Sequence, residues 1–215
     1  MKNIVLFCTG KSSSGKSTFI KEVLPQNSFY KLKSATTRPK REDELDGRDY
    51  YFRDEAYFEK GNFATYLWVN EAHWEIGVPK WLYGVPEFEI FDHVGQNFTY
   101  DVIQPKYIRQ MIDWFYEKRL NNNYDFKIIW FQPMLNAQNI IKKRVNMPDD
   151  ETIRRENTCD MEDFVLANLE PDFTLQFDPQ SGYHMSAKGD DVCILPSLRM
   201  DVLLAQYNQY KMNIK

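Results

Sequence analysis

Residues 10–17 read Gly-Lys-Ser-Ser-Ser-Gly-Lys-Ser and match the pattern G-x-x-x-x-G-K-[ST] at every fixed position. Two glycines let the backbone turn so that successive N–H groups point into one concavity, where they can bind phosphate oxygens. In this pattern the lysine ammonium lies against the β- and γ-phosphates, and the final hydroxyl can bind Mg²⁺. The sequence therefore predicts a triphosphate-binding loop made of Gly10, Ser12, Ser13, Ser14, Gly15, Lys16, Ser17 and Thr18, with Ser17 as the metal ligand.

A second block, residues 34–52, combines arginines with hydroxyl groups. Arg38 and Arg41 could converge on a phosphate monoester, because guanidinium groups make two-pronged contacts that an ammonium cannot reproduce. Hydroxyls from Ser34, Thr36, Thr37 and Tyr50 could join them. The alternative interpretation is a solvated, charged hairpin, which the stretch Lys-Arg-Glu-Asp-Glu would suit by itself.

Apolar runs around these blocks predict the elements that position them. Residues 1–8 and 126–131 read as strands buried on both faces, which is typical of parallel sheets. Residues 17–24 carry helix formers and stop at a proline, so strand, glycine loop and helix begin an α/β unit. Residues 106–120 predict a helix with one apolar stripe, formed by Ile108, Met111, Ile112 and Phe115.

The rest of the chain divides by composition. Residues 30–86 alternate short aromatic segments with turns and read as a β-rich insertion. Residues 142–164 are densely charged and read as a solvated helical segment, which we call the lid. A strand is expected at 173–177 and a last helix at 198–210. The predicted fold is α/β, a three-layer α/β/α core with a parallel sheet. Its domains are a core at 1–33 and 87–215 with the lid at about 142–164, and an insertion at 34–86.

Composition excludes several classes of protein. The 215 residues carry 27 Lys+Arg and 31 Asp+Glu, and this acidic balance argues against a nucleic-acid-binding protein. No apolar run is long enough to span a membrane, and the apolar N-terminal stretch is too short for a signal peptide. Three distant cysteines, Cys8, Cys159 and Cys193, favour a reducing compartment over a metal site. We expect a cytoplasmic protein.

The second block also carries a family resemblance. The string S-x-T-T-R-x-x-R-x-x-E-x-D-G-x-D-Y-x-F, which this chain matches throughout, resembles the signature of the guanylate kinase family. The glycine loop lies at the family's distance upstream. A weaker likeness continues through residues 57–63, the pair Tyr83-Gly84, Asp101, the pair Lys143-Arg144 and residues 171–177.

The resemblance implies roles for individual residues. In this family a nucleoside monophosphate receives the γ-phosphate of ATP, with Mg²⁺ bound. Asp101 could organise the Mg²⁺ water shell or touch the base, although a helix cap for the segment starting at Pro105 is an equal alternative. The implied acceptor-binding residues are Ser34, Arg38, Arg41, Tyr50, Tyr83 and Asp101, and the implied catalytic residues are Lys16, Arg38, Arg144 and one of Arg154 or Arg155.

The chain departs from the family where the base would be read. Phe63-Ala64-Thr65 replaces Phe-Leu-Glu, whose glutamate recognises guanine in the family, and Val85 replaces a hydroxyl residue. The chain is also longer here, with Glu71, His73, Trp74, Glu75 and Trp81 in the added stretch. Glu71 or Glu75 could restore a carboxylate, or each could be an exposed residue of a longer hairpin. Phosphate recognition is kept, and base recognition is rewritten.

These observations predict an ATP-dependent nucleoside monophosphate kinase, a monomer or homodimer whose partners are ATP and a monophosphate, with GMP or dGMP as the leading acceptor. A GTPase is disfavoured because no N-K-x-D tetrapeptide occurs. One alternative is a kinase of the same fold that acts on another nucleotide or a phosphorylated sugar. The other is a non-catalytic interaction module, which ranks third because Gly15-Lys16-Ser17 is complete.

Overall fold

The computed structural model of the chain describes residues 2–10, 14–24, 29–69, 80–102, 104–132, 161–178, 182–187 and 190–194. Its strands are β1 Asn3–Gly10, β2 Tyr30–Lys31, β3 Ala35–Thr36, β4 Tyr51–Phe52, β5 Phe63–Val69, β6 Trp81–Pro86, β7 Phe98–Val102, β8 Tyr124–Gln132, β9 Phe173–Asp178, β10 Gly182–Ala187 and β11 Asp190–Ile194. Its helices are α1 Lys16–Thr18, which continues as a π-helix over Phe19–Val23, then α2 Glu55–Lys60, α3 Glu87–Phe91, α4 Pro105–Glu117 and α5 Met161–Leu166.

A seven-stranded core sheet has the order β11-β10-β9-β8-β1-β7-β2. Strand β1 pairs in parallel with β7 on one side and β8 on the other, and the pairs β2–β7 and β8–β9 are also parallel. The hairpin β10–β11 adds an antiparallel edge next to β9. The carboxyl ends of β1, β7 and β8 therefore lie at one edge of the sheet, and this is where ligands bind in open α/β sheets.

Strand β1 is buried on both faces because helices cover both sides of the core sheet. Val5 and Phe7 pack on the side of α4, whereas Leu6 and Cys8 pack on the side of the π-helix, against Phe19. The four residues of the predicted α4 stripe are all buried, namely Ile108, Met111, Ile112 and Phe115. The predicted α/β class with three layers is confirmed.

The four remaining strands form a second sheet of order β4-β3-β6-β5. In it Ala35 pairs with Gly84 across β3 and β6, and with Tyr51 across β3 and β4. All four strands fall between residues 35 and 86, in the part of the sequence that reads as β-rich. The finer division into an acceptor-binding domain at 34–86 and a core stays a prediction.

The edge of the core sheet differs from the sequence prediction, and two other predictions fall outside the described residues. The core sheet is not wholly parallel, because β10 and β11 run antiparallel at its edge, and this hairpin was not predicted. Most of the predicted lid at 142–164 and the predicted last helix at 198–210 lie outside the described residues. Within the described part of the chain, no helix is long and apolar enough to cross a membrane.

Candidate active site

Gly10 ends β1, and its surroundings leave no room for a side chain. Its φ is 146°, and a Cβ placed there would lie 2.2 Å from the carbonyl oxygen of Phe131 on β8. A glycine is therefore required at this position for both backbone and steric reasons. The close approach of β8 fixes where the chain leaves the sheet and enters the loop.

Gly15 closes the described part of the loop as the N-cap of α1, with a left-handed φ of 90°. Lys16 follows, and its ammonium donates a 2.7 Å hydrogen bond to the carbonyl oxygen of Gly10, so the side chain lies back across the loop. Ser17 is exposed in the first turn. Ser12 and Ser13 are not among the described residues, and neither is the side chain of Thr18.

Ser14 occupies an unusual environment in the same loop. Its residue is 1% exposed, and its hydroxyl is buried with no hydrogen-bond partner among the residues that the structure describes. A buried polar group without a partner is costly, and such groups usually have a ligand or a functional reason. A phosphate oxygen at the concavity would provide that partner.

Arg38 is the centre of the second cluster and is 6% exposed. Its Nε donates to the hydroxyl of Tyr83 at 3.1 Å, and its Nη2 donates to Oε1 of Glu44 at 2.7 Å. Its Nη1 donates to the carbonyl oxygen of Pro39 at 2.7 Å. Three contacts on one guanidinium fix its orientation, which is what two-pronged phosphate recognition requires.

Glu44 is the carboxylate that holds this arginine, and the sequence motif includes it without revealing its role. Its second oxygen accepts the backbone N–H of Arg41 at 2.9 Å, and the Arg41 guanidinium lies 3.8 Å from the first oxygen. Burial alone would raise the pKa of Glu44, but the hydrogen bonds from Arg38 and Arg41 outweigh it and hold that pKa below its ordinary value. The carboxylate is therefore charged at neutral pH.

Tyr50 and Tyr83 complete the cluster. Their rings are perpendicular with centroids 5.9 Å apart, and the Arg38 guanidinium lies 5.4 Å from the centroid of the Tyr50 ring. Burial, then the neighbouring Tyr83 and Asp101, raise the pKa of Tyr50, so its hydroxyl stays protonated and can donate. The structure thus brings Arg38, Arg41, Tyr50 and Tyr83 together around Glu44, and their role in binding a phosphate stays a prediction.

Strand β7 connects this cluster to the glycine loop. The hydroxyl of Ser34 lies 3.2 Å from that of Tyr100, whose pKa burial raises to about 12. Asp101 follows and pairs in register with Cys8, two residues before Gly10. The alternative interpretation of Asp101 as the helix cap is wrong, because the N-cap of α4 is Gln104. Tyr100 was not singled out in the sequence, since no motif marks it.

The residues that replace the family's base-reading positions are buried. Thr65 is 3% exposed and donates a 2.8 Å hydrogen bond to Oε1 of Gln110 on α4, while Val85 is fully buried in the core. Thr65 pairs with Val85 across β5 and β6, and two residues further along these strands Leu67 pairs with Tyr83. Gln110 lies 45 residues away in sequence, so no local pattern indicated the contact.

Several predicted residues lie outside the described part of the chain. They are the three arginines of the lid and the two glutamates of the added stretch, namely Arg144, Arg154, Arg155, Glu71 and Glu75. Among the described residues no group of three or more His, Cys, Asp or Glu could hold a metal ion. A nucleotide-bound Mg²⁺ takes most of its ligands from water and phosphates, so the exposed hydroxyl of Ser17 beside Lys16 fits that ion.

Comparison with known proteins finds a family match in the N-terminal part of the chain. The sequence profile of the Guanylate kinase family matches residues 1–64. The chain is 39% identical over 84 residues to a guanylate kinase of Clostridioides difficile strain 630, covering 37% of this chain and 40% of that protein. It is 35% identical over 103 residues to a guanylate kinase of Thermotoga maritima, covering 45% of each. The matched segment spans less than half the length of these relatives.

A solved structure was also found, the crystal structure of guanylate kinase from Anaplasma phagocytophilum. It has a TM-score of 0.41 and 20% sequence identity, and it covers 73% of this chain and 72% of that chain. The profile match includes the glycine loop and the block around Arg38. The predicted resemblance to the guanylate kinase family is therefore confirmed for the N-terminal segment of this chain.

Proposed function

We propose that this protein is an ATP-dependent nucleoside monophosphate kinase, with GMP or dGMP as its leading acceptor. One observation supports it most: strand β7 contacts both the segment that leads to Arg38 and the strand that leads into the glycine loop. The hydroxyl of Ser34 lies within hydrogen-bond distance of that of Tyr100 on β7, and the next residue, Asp101, pairs in register with Cys8 on β1, two residues before Gly10. Two polyanion sites that share one sheet edge suit the transfer of a phosphoryl group between two nucleotides.

The reaction follows from this arrangement. A phosphate oxygen of the monophosphate attacks the γ-phosphorus of ATP, the bond from that phosphorus to the β–γ bridging oxygen breaks, and ADP leaves. The attacking oxygen is ionised at neutral pH, so no general base is needed. The protein's contribution is to position the two phosphates and to stabilise the negative charge between them.

The chain's residues divide this work. Gly10, Ser14 and Gly15 present the loop concavity, and the Lys16 ammonium exchanges its contact with the Gly10 carbonyl for the β- and γ-phosphate oxygens. Arg38, with Ser34, Arg41, Tyr50 and Tyr83, holds the acceptor phosphate in line.

Mg²⁺ held by Ser17 neutralises charge on the ATP oxygens when it is bound. Asp101 is proposed to orient its water shell or to touch the acceptor base. In analogy to the family, Arg144 and one of Arg154 or Arg155 would reach the transferring group from the lid. Closure would exclude water, which otherwise competes as an acceptor.

The test is an ADP-release assay with ATP and Mg²⁺ across all ribo- and deoxyribonucleoside monophosphates. Wild-type protein is expected to release ADP only when a monophosphate is present, fastest with GMP or dGMP. Arg38→Ala should abolish release, whereas Arg48→Ala, an exposed arginine of the same loop, should retain it. Release that does not depend on a monophosphate would refute the proposal.

A second acceptor class is favoured by the contact between Thr65 and Gln110. The glutamate of the family pattern would accept the two N–H donors of a guanine edge. In this chain the oxygen of the Gln110 amide already accepts from Thr65, so that amide presents mainly its N–H groups. A base with acceptor atoms at that edge would suit it. Thr65→Val would remove one hydrogen bond, of about 1 kcal/mol, and should change the ratio of kcat/KM between monophosphates without changing the KM for ATP.

A further inference from the structure

A buried carboxylate outside the candidate active site gathers four donors. Glu89 on α3 is 1% exposed and accepts from the hydroxyls of Tyr30 at 3.0 Å and Tyr51 at 2.5 Å. It also accepts the backbone N–H of Lys33 at 3.0 Å, and the Lys33 ammonium lies 3.5 Å from it. These contacts offset the cost of burying a charge, and an unpaired carboxylate there would be strongly destabilising.

The donors come from different parts of the fold. Tyr30 belongs to β2 at the edge of the core sheet, Tyr51 belongs to β4 of the second sheet, and Lys33 lies in the connection between the two sheets. Helix α3 is itself the return connection, because it follows β6 of the second sheet and precedes β7 of the core. The connection from β2 to β3 and the connection from β6 to β7 both pass between the two sheets. Lys33 in the first contacts the Glu89 carboxylate, and the second carries Glu89 itself.

The opposite side of α3 is fixed to the core. Glu87 accepts from the indole N–H of Trp114 on α4 at 2.7 Å and lies 2.8 Å from the Lys118 ammonium. The ring of Phe91 packs on that of Trp114 with centroids 5.5 Å apart. Helix α3 is thus held to α4 through Glu87 and to the second sheet through Glu89.

The second sheet transmits this anchoring to Arg38. Tyr51 pairs in register with Ala35 on β3, and Arg38 follows the end of β3 by two residues. The Lys33 ammonium also donates to the carbonyl oxygen of Gly47 at 3.2 Å, in the loop that carries Glu44. A change at Glu89 would therefore move β4, β3 and this loop relative to the core sheet.

We propose that Glu89 is a positioning residue, which holds the second sheet at the angle to the core that places Arg38 for its phosphate. Burial, followed by the charge of Glu89 and the hydrogen bond to it, raises the pKa of Tyr30, and the pKa of Tyr51 is raised in the same way, so both hydroxyls remain donors at neutral pH. The effect on catalysis rests on the proposed function, whereas the anchoring of the second sheet does not.

The test compares Glu89→Gln and Tyr51→Phe with Glu87→Gln, a matched carboxylate on the same short helix. Amide hydrogen exchange of the three variants and the wild type is measured by segment, together with the KM for acceptor and for ATP. Glu89→Gln should speed exchange in residues 33–36 and 51–53 and leave β1, β7 and β8 unchanged. It should raise the acceptor KM roughly tenfold while the KM for ATP stays within about twofold.

Glu87→Gln keeps an oxygen that accepts from the Trp114 indole, and Phe91 still packs on Trp114, so α3 stays attached to α4. This variant should therefore leave exchange in residues 33–36 and 51–53 and the acceptor KM at wild-type values. Unchanged exchange in these segments of Glu89→Gln, or acceleration spread equally over the core strands, would overturn the proposal. If Glu89→Gln does not fold, Tyr51→Phe decides by the same exchange criterion. If the wild type transfers no phosphate, the proposed kinase function fails, and the exchange result still decides the role of Glu89.

Discussion

The glycine loop and the arginine cluster are held in place by different means. The loop depends on backbone geometry, since Gly10 and Gly15 have positive φ and a Cβ at Gly10 would lie 2.2 Å from a carbonyl oxygen of β8. The cluster depends on side chains, since Arg38 is oriented by Glu44, Tyr83 and a neighbouring carbonyl. A side chain added at such a glycine strains the backbone, whereas a side-chain network can be changed one contact at a time.

The two regions also differ in how closely they follow the guanylate kinase pattern. The glycine loop and the block around Arg38 match it, while Thr65 and Val85, in the second sheet, do not. The proposed function therefore places a change of acceptor base in the second sheet and leaves ATP binding with the loop. If the two regions are separable, a substitution in one should leave the function of the other unchanged.

The largest expected effect is the loss of activity when the lysine of the glycine loop is removed. Lys16→Ala should lower kcat/KM for ADP release by at least about 10³-fold, because it removes the charge that the proposed function places at the transferring phosphate. The melting temperature should change little, since the Lys16 side chain is only partly buried. Lys21→Ala, an exposed lysine on the following turn, serves as the control, and equal losses in both variants would contradict the assignment.

The next largest effect tests backbone geometry directly. Gly10→Ala should lower the free energy of unfolding by about 3 kcal/mol, through strain at positive φ and a steric clash with Phe131. Gly95→Ala is the matched control, because Gly95 also has positive φ, at 93°, but has open space where a Cβ would lie. Its cost should be about 1 kcal/mol. Denaturant titration measures the free energy of unfolding of both variants. Similar losses would show that the clash at Gly10 is relieved, which would contradict the prediction.

A smaller effect is expected in the side-chain network. Glu44→Gln weakens the contact that orients Arg38 and should raise the acceptor KM about 10- to 30-fold, with the KM for ATP unchanged. Glu42→Gln, an exposed carboxylate in the same loop, is the control and should behave as wild type. An equal rise in both KM values for Glu44→Gln would show that the two regions are not separable.

The smallest effect is a pH dependence of stability from the same carboxylate. Because the pKa of Glu44 is lower in the folded state, its charge stabilises the fold above its ordinary pKa, and this contribution is lost as pH falls through the lower folded value. Wild type should therefore lose more stability than Glu44→Gln between about pH 6 and pH 3. A part of the fall should persist in the variant, since the pKa of Asp46 is also lowered, by the Phe52 N–H and Arg53. Parallel pH curves of unfolding free energy would contradict this.

The glycine loop could be predicted from sequence because its residues are consecutive, and each has a fixed geometric role. The α4 stripe could be predicted for a similar local reason, since helical periodicity places Ile108 and Phe115 on one face. The contacts from Ser34 to Tyr100 and from Thr65 to Gln110 could not, because 66 and 45 residues separate their partners. Only the fold brings such pairs together.

The antiparallel edge of the core sheet shows the same limit in the fold. Strands β10 and β11 are six and five residues long, and β10 pairs with β9 while β11 pairs with β10. Strands this short leave no periodic signature that separates them from a loop. The role of Glu44 had a partial signal, since the residue stands in the family motif. Its partner could be identified only once the position of Arg38 was known.

The proposed phosphoryl transfer is tested by following a mixture of ATP and GMP by phosphorus NMR, with wild type and with Arg38→Ala. With wild type, the β-phosphate signal of GDP should appear at the rate at which ADP forms. Arg38→Ala should still bind ATP, with a wild-type dissociation constant, but should form no GDP. Two results would contradict the proposed transfer. One is that wild type releases inorganic phosphate and converts neither GMP nor another monophosphate to its diphosphate, and the other is that Arg38→Ala loses ATP binding.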